Sequence, residues 1–489
     1  MKRGALAKVL IVLAAVFALP SCGGGSGGGG IIAGIGGTGI TASGTITGFG
    51  SIFVNGVEYQ TGNTAVTIND TGATASELKL GMVVKVTGQL NSDGITGTAT
   101  SVAYDADLKG PIVAAPTLLS NGSKSFQVLN TTVVVQPVST VFDNSQYPGF
   151  SFNSIAQNDL VEVSGFYDAN GRLYATRIGK VGVLSASTPV EIKGTISGYN
   201  NANSFTVGGL TVTLSNSTDL SQLTGGIVDG AYVEVKGLVP SATATTITAT
   251  TVLPEEGTFG TDVSEASVEG IVTDYNGLSN FKVAGQTVDA STATISPTGF
   301  QIANGVQVEV GGPISAGVLK ATKVEGRSGE ISLTVPVYSV DTVNNSIAVR
   351  LDSRTVPITV NSRTQFEDEA TGTEPFSVTD VYPNNVLEIE GVSDGAGGVI
   401  ATHVKRTAVA QPVPFTATVT APLQSLDQTS YLLRALGVTY STDTNTVFFN
   451  ASGSQVSRGT FFSTVPPGTL VHIVDDNNDG LAERVEVDN

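Results

Sequence analysis

The one stretch of this chain that matches a template for ion chemistry is Asp475, Asn477, Asp479, Gly480, Leu481 and Glu486, in the order D-x-N-x-D-G-x₅-E. In a calcium loop, Asp475, Asn477 and Asp479 supply side-chain oxygens and Leu481 supplies a carbonyl. Glu486 adds a bidentate carboxylate, and Gly480 allows the sharp turn. The flanks, Val471–Val474 and Val485–Val487, alternate like strands rather than helices. A Ca²⁺ ion here would be a structural staple, and an ordinary acidic turn is the competing reading.

Catalysis usually needs a base, and the chain has two histidines, His403 and His472. His403 stands in a slot where repeats of the same block carry Ser101, Arg177, Thr251 and Lys323. His472 stands in a slot that otherwise carries Lys85, Glu162, Glu234, Glu309 and Glu388. Slots this tolerant of charge read as the solvent side of a strand, so both histidines are expected at the surface. There is no Gly-x-Ser-x-Gly elbow, phosphate loop or dinucleotide fingerprint. No catalytic residue is assigned.

Those slots belong to a repeat. Ala-Thr-x-Val/Ile occurs at residues 99–102, 175–178, 249–252, 321–324 and 401–404, with a decayed copy, Ala482-Glu483-Arg484-Val485. Each copy follows an alternating strand that ends in glycine, as in Val84-Lys85-Val86-Thr87-Gly88 and Val161-Glu162-Val163-Ser164-Gly165. The last one, Val471 to Asp475, has lost the glycine. Turn dipeptides such as Asp93-Gly94, Asn170-Gly171 and Asp394-Gly395 link the two markers, which predicts hairpins. Earlier hairpins centre on Asn55-Gly56, Gly208-Gly209 and Ala284-Gly285.

The count is about five strands per unit and no convincing helix. The predicted class is all-β: about six small five-stranded barrels of OB-like form, with small open sandwiches as the alternative. Units this large can core themselves, so they are expected in line, joined by weak contacts that let the string bend. The expected boundaries are 43–108, 109–188, 189–262, 263–328, 329–410 and 411–489, preceded by a leader at 1–21 and a Gly-rich tether at 22–42. Fully extended, the tether would reach roughly 70 Å.

The leader has Lys2, Arg3 and Lys8, then an apolar run from Val9 to Leu19, then Leu19-Pro20-Ser21-Cys22 followed by glycines. This resembles a bacterial lipoprotein signal, too short to be a spanning helix. The resemblance implies cleavage before Cys22, the chain's one cysteine, and lipidation of its thiol. Two or more acyl chains anchor a protein stably. Glycine rather than aspartate at position 23 implies the outer membrane, facing either the periplasm or the outside. Removing residues 1–21 leaves 21 basic against 42 acidic residues, a net charge of −21. That sign argues against nucleic acid as a partner.

Gly34 to Ile40, Gly44 to Val57 and Gly81 to Gly88 together resemble the bacterial domain-of-unknown-function family numbered 5666, found in exported proteins. The resemblance implies fold and export and brings no activity with it. The expected function is a non-enzymatic, lipid-anchored cell-envelope scaffold or binding protein with a protein or glycan partner. A glycan- or ligand-binding OB-like protein is the first alternative, with Tyr59, Tyr199 and Tyr275 as stacking residues in a chain without tryptophan. An unrecognised carboxylate-dependent hydrolase is the second.

Overall fold

A computed structural model describes residues 39–488, apart from 120–121, 186, 200–202, 256–258, 328–330 and 413. The first module shows how the local pattern closes a ring. Its strands are β1 (Gly39–Phe49), β2 (Ile52–Val54), β3 (Val57–Gln60), β4 (Ala65–Ile68), β5 (Thr71–Ala73), β6 (Val83–Leu90) and β7 (Thr96–Tyr104). Asn55 and Gly56, with φ of 51° and 76°, make the two-residue turn between β2 and β3. β1 pairs antiparallel with β2 and β6, β2 with β3, and β6 with β7; β3 pairs parallel with β7. The order β1-β2-β3-β7-β6-β1 is a closed Greek-key ring of OB type. Its lumen is filled by the inward positions of the alternation, among them Ile46, Ile52, Val54, Val86 and Val102. Full burial of each such side chain is worth about 1.5–3 kcal/mol.

The same ring recurs down the chain. In the second, third and sixth modules the bridges Ile112–Val128, Ser197–Thr206 and Ser441–Leu481 complete it. The two sequence markers turn out to be one device. Gly88 sits at a bulge in β6, where a Cβ would strike the carbonyl oxygen of Thr98. The bulge leaves the carbonyl of Thr87 turned aside, and the Thr100 hydroxyl donates to it at 2.9 Å. The same hydroxyl bond runs from Thr176 to Ser164, Thr250 to Lys236, Thr322 to Gly311 and Thr402 to Glu390. In the sixth module Asp475 replaces the glycine and Glu483 the threonine, so both halves are lost together.

The expectation of a bending string does not hold. The modules join in pairs through their first strands. β1 runs parallel to the first strand of the fourth module, pairing Ile40–Ser43 with Glu265–Val268. Leu108 and Lys109 of the second module pair antiparallel with Ile192 and Glu191 of the third. Ser332–Thr334 of the fifth pair antiparallel with Thr418–Thr420 of the sixth. Among the described residues this gives sheets of 14, 12 and 13 strands. An unpaired strand edge is an aggregation hazard, and pairing of like strands removes it. The second and third modules share one apolar cluster, as do the fifth and sixth; the first and fourth keep separate ones. From Thr38 onward the chain is one compact unit.

Two further expectations are corrected. β1 begins at Gly39, and Ile40 is buried, so ordered structure starts inside the stretch assigned to the tether. The sixth module contains an α-helix, Arg458–Thr464, capped by the Ser457 side chain accepting from Thr460 N. Its Phe461 and Phe462 are buried against Phe448. Three-residue 3₁₀ turns stand before the fourth ring strand in the first and fifth modules, at Ala75–Glu77 and Val378–Asp380.

Candidate functional site

Cys22 lies outside the described residues. The five proposed calcium ligands are not brought together. Asp475 is 1% exposed, and its two carboxylate oxygens accept the backbone N–H groups of Asp479 and Gly480. Burial pushes its carboxyl up to about 6, against the pull of those two amides. Asp479 accepts from the Leu481 N–H at 3.0 Å, which makes a self-capped turn. Asn477 has φ of 79° and donates its N–H to Phe415 O. Glu486 lies in register with His472 and forms an ion pair with Arg484. Alternation puts Asp475 on the buried face, with Val471 and Ile473, and Glu486 on the opposite one. The carboxylate that should close the loop faces away from it.

The histidines are also placed differently from expectation. Both are half-buried, and both belong to one row across the shared sheet of the fifth and sixth modules. The row runs His403–Glu390–Ser332–Thr420–His472–Glu486, each residue in register with the next. Six neighbouring strands spaced ~4.8 Å apart make it ~24 Å long. It lies on the outer face of both barrels, and the two ends have different surroundings.

The His403 end is largely covered by neighbouring modules. Its cavity is lined from four modules, by Thr45, Ser139, Tyr174, Glu269, Arg327 and His403 among others, and holds about 20 Å³. That is room for about one water molecule. Glu269, 2% exposed, accepts from Thr45 N at 2.7 Å, Gln307 Nε2 at 3.0 Å and Arg327 Nε at 3.3 Å. Burial, then the charges of Arg327 and Lys405, push His403 down to about 3. Burial pushes Glu390 up to about 7, although a hydrogen bond from Ser139 of the second module opposes the shift. Glu367 is likewise pushed up to about 7 by burial, with Lys405 opposing. Lys405, flanked in register by Glu367 and Glu388, donates to the carbonyl of Pro137 in the second module.

At the His472 end the second module also approaches, through Gly122. A cleft of about 290 Å³ is lined by Gly122, Thr420, His472, Val474, Arg484, Glu486 and Asp488. Thr420 Oγ1 and His472 Nδ1 are 2.9 Å apart. Burial and the Arg484 charge lower the pKa of the ring.

Other charges shared between modules escaped the sequence reading. Arg363 of the fifth module reaches Glu309 at 2.7 Å and Glu325 at 2.5 Å in the fourth. Lys236 of the third reaches Asp70 of the first at 2.5 Å. One signal was present: the slot of Lys85, Glu162, Glu234, Glu309, Glu388 and His472 is ionisable in every copy. A slot that is merely wet would drift to Ser, Thr or Asn. Of the three tyrosines proposed for glycan stacking, Tyr59 is wholly buried, and Tyr199 and Tyr275 pack partly buried against the cores.

No curated protein matches the chain. A solved structure titled "drosophila Unr CSD456" is 12% identical, with 44% of this chain and 97% of that chain covered and a TM-score of 0.11. Residues 40–103, 109–179, 193–252, 269–325 and 336–405 each match the family described as Domain of unknown function (DUF5666). With five tandem matches along most of its length, the chain belongs to the DUF5666 family.

Proposed function

We propose that this protein is a non-enzymatic scaffold of the cell envelope, held on the outer membrane by lipid on Cys22. The observation that carries the scaffold reading is the use made of its ionisable side chains. Glu162, Glu269, Glu309, Arg363 and Lys405 bind one module to another. The cavity beside His403 has space for a water and none for a substrate. Such a protein holds its modules in fixed relation rather than turning over a molecule. The anchor reading rests on the Leu19-Pro20-Ser21-Cys22-Gly23 order.

Cell fractionation tests the anchor: wild type is expected with the outer membrane, and the Cys22→Ala chain in the soluble fraction. A Cys22→Ala chain that stays in the membrane fraction overturns it. Profiling the purified chain against ester, peptide, glycoside and phosphate substrates tests the other half. Turnover abolished by a single Asp or Glu substitution would make it an enzyme. Binding of a partner is the activity that remains for a scaffold.

A further inference from the structure

The first module meets the shared sheet of the second and third, and charge is crowded at that junction. Across the sheet Glu162, Lys109, Glu191 and Lys236 stand in register on neighbouring strands, so their signs alternate. The Asn69-Asp70 turn of the first module holds both ends of this ladder. Asn69 Nδ2 donates to Glu162 at 3.2 Å, and Asp70 lies 2.5 Å from the Lys236 ammonium. The exit from the first module is tied to the turn and to the sheet. Ala106 N donates to Asn69 Oδ1 at 3.0 Å, and Asp107 N donates to Val163 O at 3.0 Å.

Glu234 lies beside the ladder, two residues before Lys236, and is 1% exposed. Among the described residues, neither of its carboxylate oxygens accepts a hydrogen bond. In the equivalent slot Glu162 accepts from Asn69 and Tyr104, and Glu309 from Arg363. The ammonium beside Glu234, that of Lys236 at 3.4 Å, is the one Asp70 already holds. Lys193 stands in register with Glu234, and its own ammonium lies 3.2 Å from Glu255 and 3.4 Å from Asp105 O. The junction thus sets Asp70, Asp105, Asp107, Glu162, Glu191, Glu234 and Glu255 against Lys109, Lys193 and Lys236, while Arg177 is taken by Asp143. Ionising a buried carboxylate that has no hydrogen bond is costly. Burial pushes Glu234 up to about 7 against the pull of Lys193 and Lys236, and Asp107 up to about 6 against that of Lys193. Burial raises Glu162 as well. Tyr104, Tyr167 and Tyr232 are pushed up by burial and stay neutral over this range.

We propose that this junction is a proton-controlled latch, closed while Glu234 is protonated and loosened when it ionises, as the Asn69-Asp70 turn and the exit segment lift and admit water. Protonated, Glu234 leaves the Lys236 ammonium to Asp70. Ionised, it competes with Asp70 for that ammonium, and water supplies the donors it lacks. The closed junction holds its protons more tightly than the open one, so closure is strongest below about 4.5 and weakens as pH rises through 7. The latch goes beyond the scaffold reading and does not rest on it: one contact between modules answers to acidity.

Hydrogen exchange of the full mature chain tests the latch, with the Ala106 and Asp107 amides as reporters and Ile40–Ser43, paired with the fourth module, as control. After correction for the intrinsic pH dependence of exchange, the opening constant at 106 and 107 is expected to rise about thirtyfold from pH 5 to pH 8, with the control unmoved. Glu234→Gln should cut that rise by about tenfold or more. Asp70→Asn, at the turn, should raise exchange at 106 and 107 about twofold already at pH 5. Opening that ignores pH, a rise as steep in Glu234→Gln as in wild type, or an equal rise in the control overturns the proposal.

Discussion

The fifth and sixth modules share a sheet and a strand order, yet their outer faces are covered to different degrees. On the fifth, the second module closes over Glu390 and Lys405, and charges that face water in an isolated barrel become buried. On the sixth, the equivalent face carries Arg484 and Glu486 around a cleft. The Gly391–Thr402 device is intact in the fifth and replaced by Asp475 and Glu483 in the sixth. There a stapled turn and a helix bearing Phe461 and Phe462 shape the end of the barrel instead. A covered face requires charges matched to its neighbour, whereas a less covered one needs only to satisfy its own turn. The family match stops at residue 405, before the sixth module.

The contrast breaks most readily at Lys405. Lys405→Met leaves Glu367, Glu388 and Glu390 crowded without their cation, and urea unfolding at pH 8 should show a loss of about 3–5 kcal/mol. His472→Ala, which removes the Thr420 contact, should cost only about 1 kcal/mol. Equal effects would mean that the two ends are equally buried. The bulge device comes next. Gly391→Ala drives a Cβ into the carbonyl of Ile400, and a loss of about 1–3 kcal/mol is expected in the same assay. A cost near zero would remove the steric reason for the glycine.

A further effect is in pH. Glu390 and Glu367 titrate near 7 when folded, above the ordinary carboxyl value, so the folded state holds their protons more tightly than the unfolded chain does. Their contribution is full below about 4.5 and is lost as pH rises through 7. His403, pushed down to about 3, works the other way: its contribution is present above about 6.5 and lost as pH falls toward 3. Glu390→Gln should flatten the decline in unfolding free energy between pH 5 and 8 by about 2–3 kcal/mol. A decline as steep as wild type would place the titrating group elsewhere.

Much of each barrel was legible because its causes are local. Alternation in Val84–Val86 marks the inward face, and Asn55-Gly56 marks a turn whatever surrounds it. The device that joins Gly88 to Thr100 spans two neighbouring strands, and it surfaced in the sequence as two markers at constant spacing. The calcium pattern misled because a sequence motif carries no face: Asp475 and Glu486 have the right separation and point to opposite sides of a hairpin. The histidines misled for a related reason. Their slots do lie outside the barrel, but a neighbouring module stands where water was assumed.

Residue order alone was enough to indicate a chain of repeated, mainly strand modules, since period-two alternation and turn chemistry act over a few residues. The pairing of first with fourth, second with third and fifth with sixth emerged only on folding, as did the covering of His403 by neighbouring modules. Alternation separates the inside of a barrel from its outside, but it cannot separate an outside that meets water from one that meets another barrel. That distinction depends on surfaces hundreds of residues apart, such as Thr45 against Glu269, meeting in space.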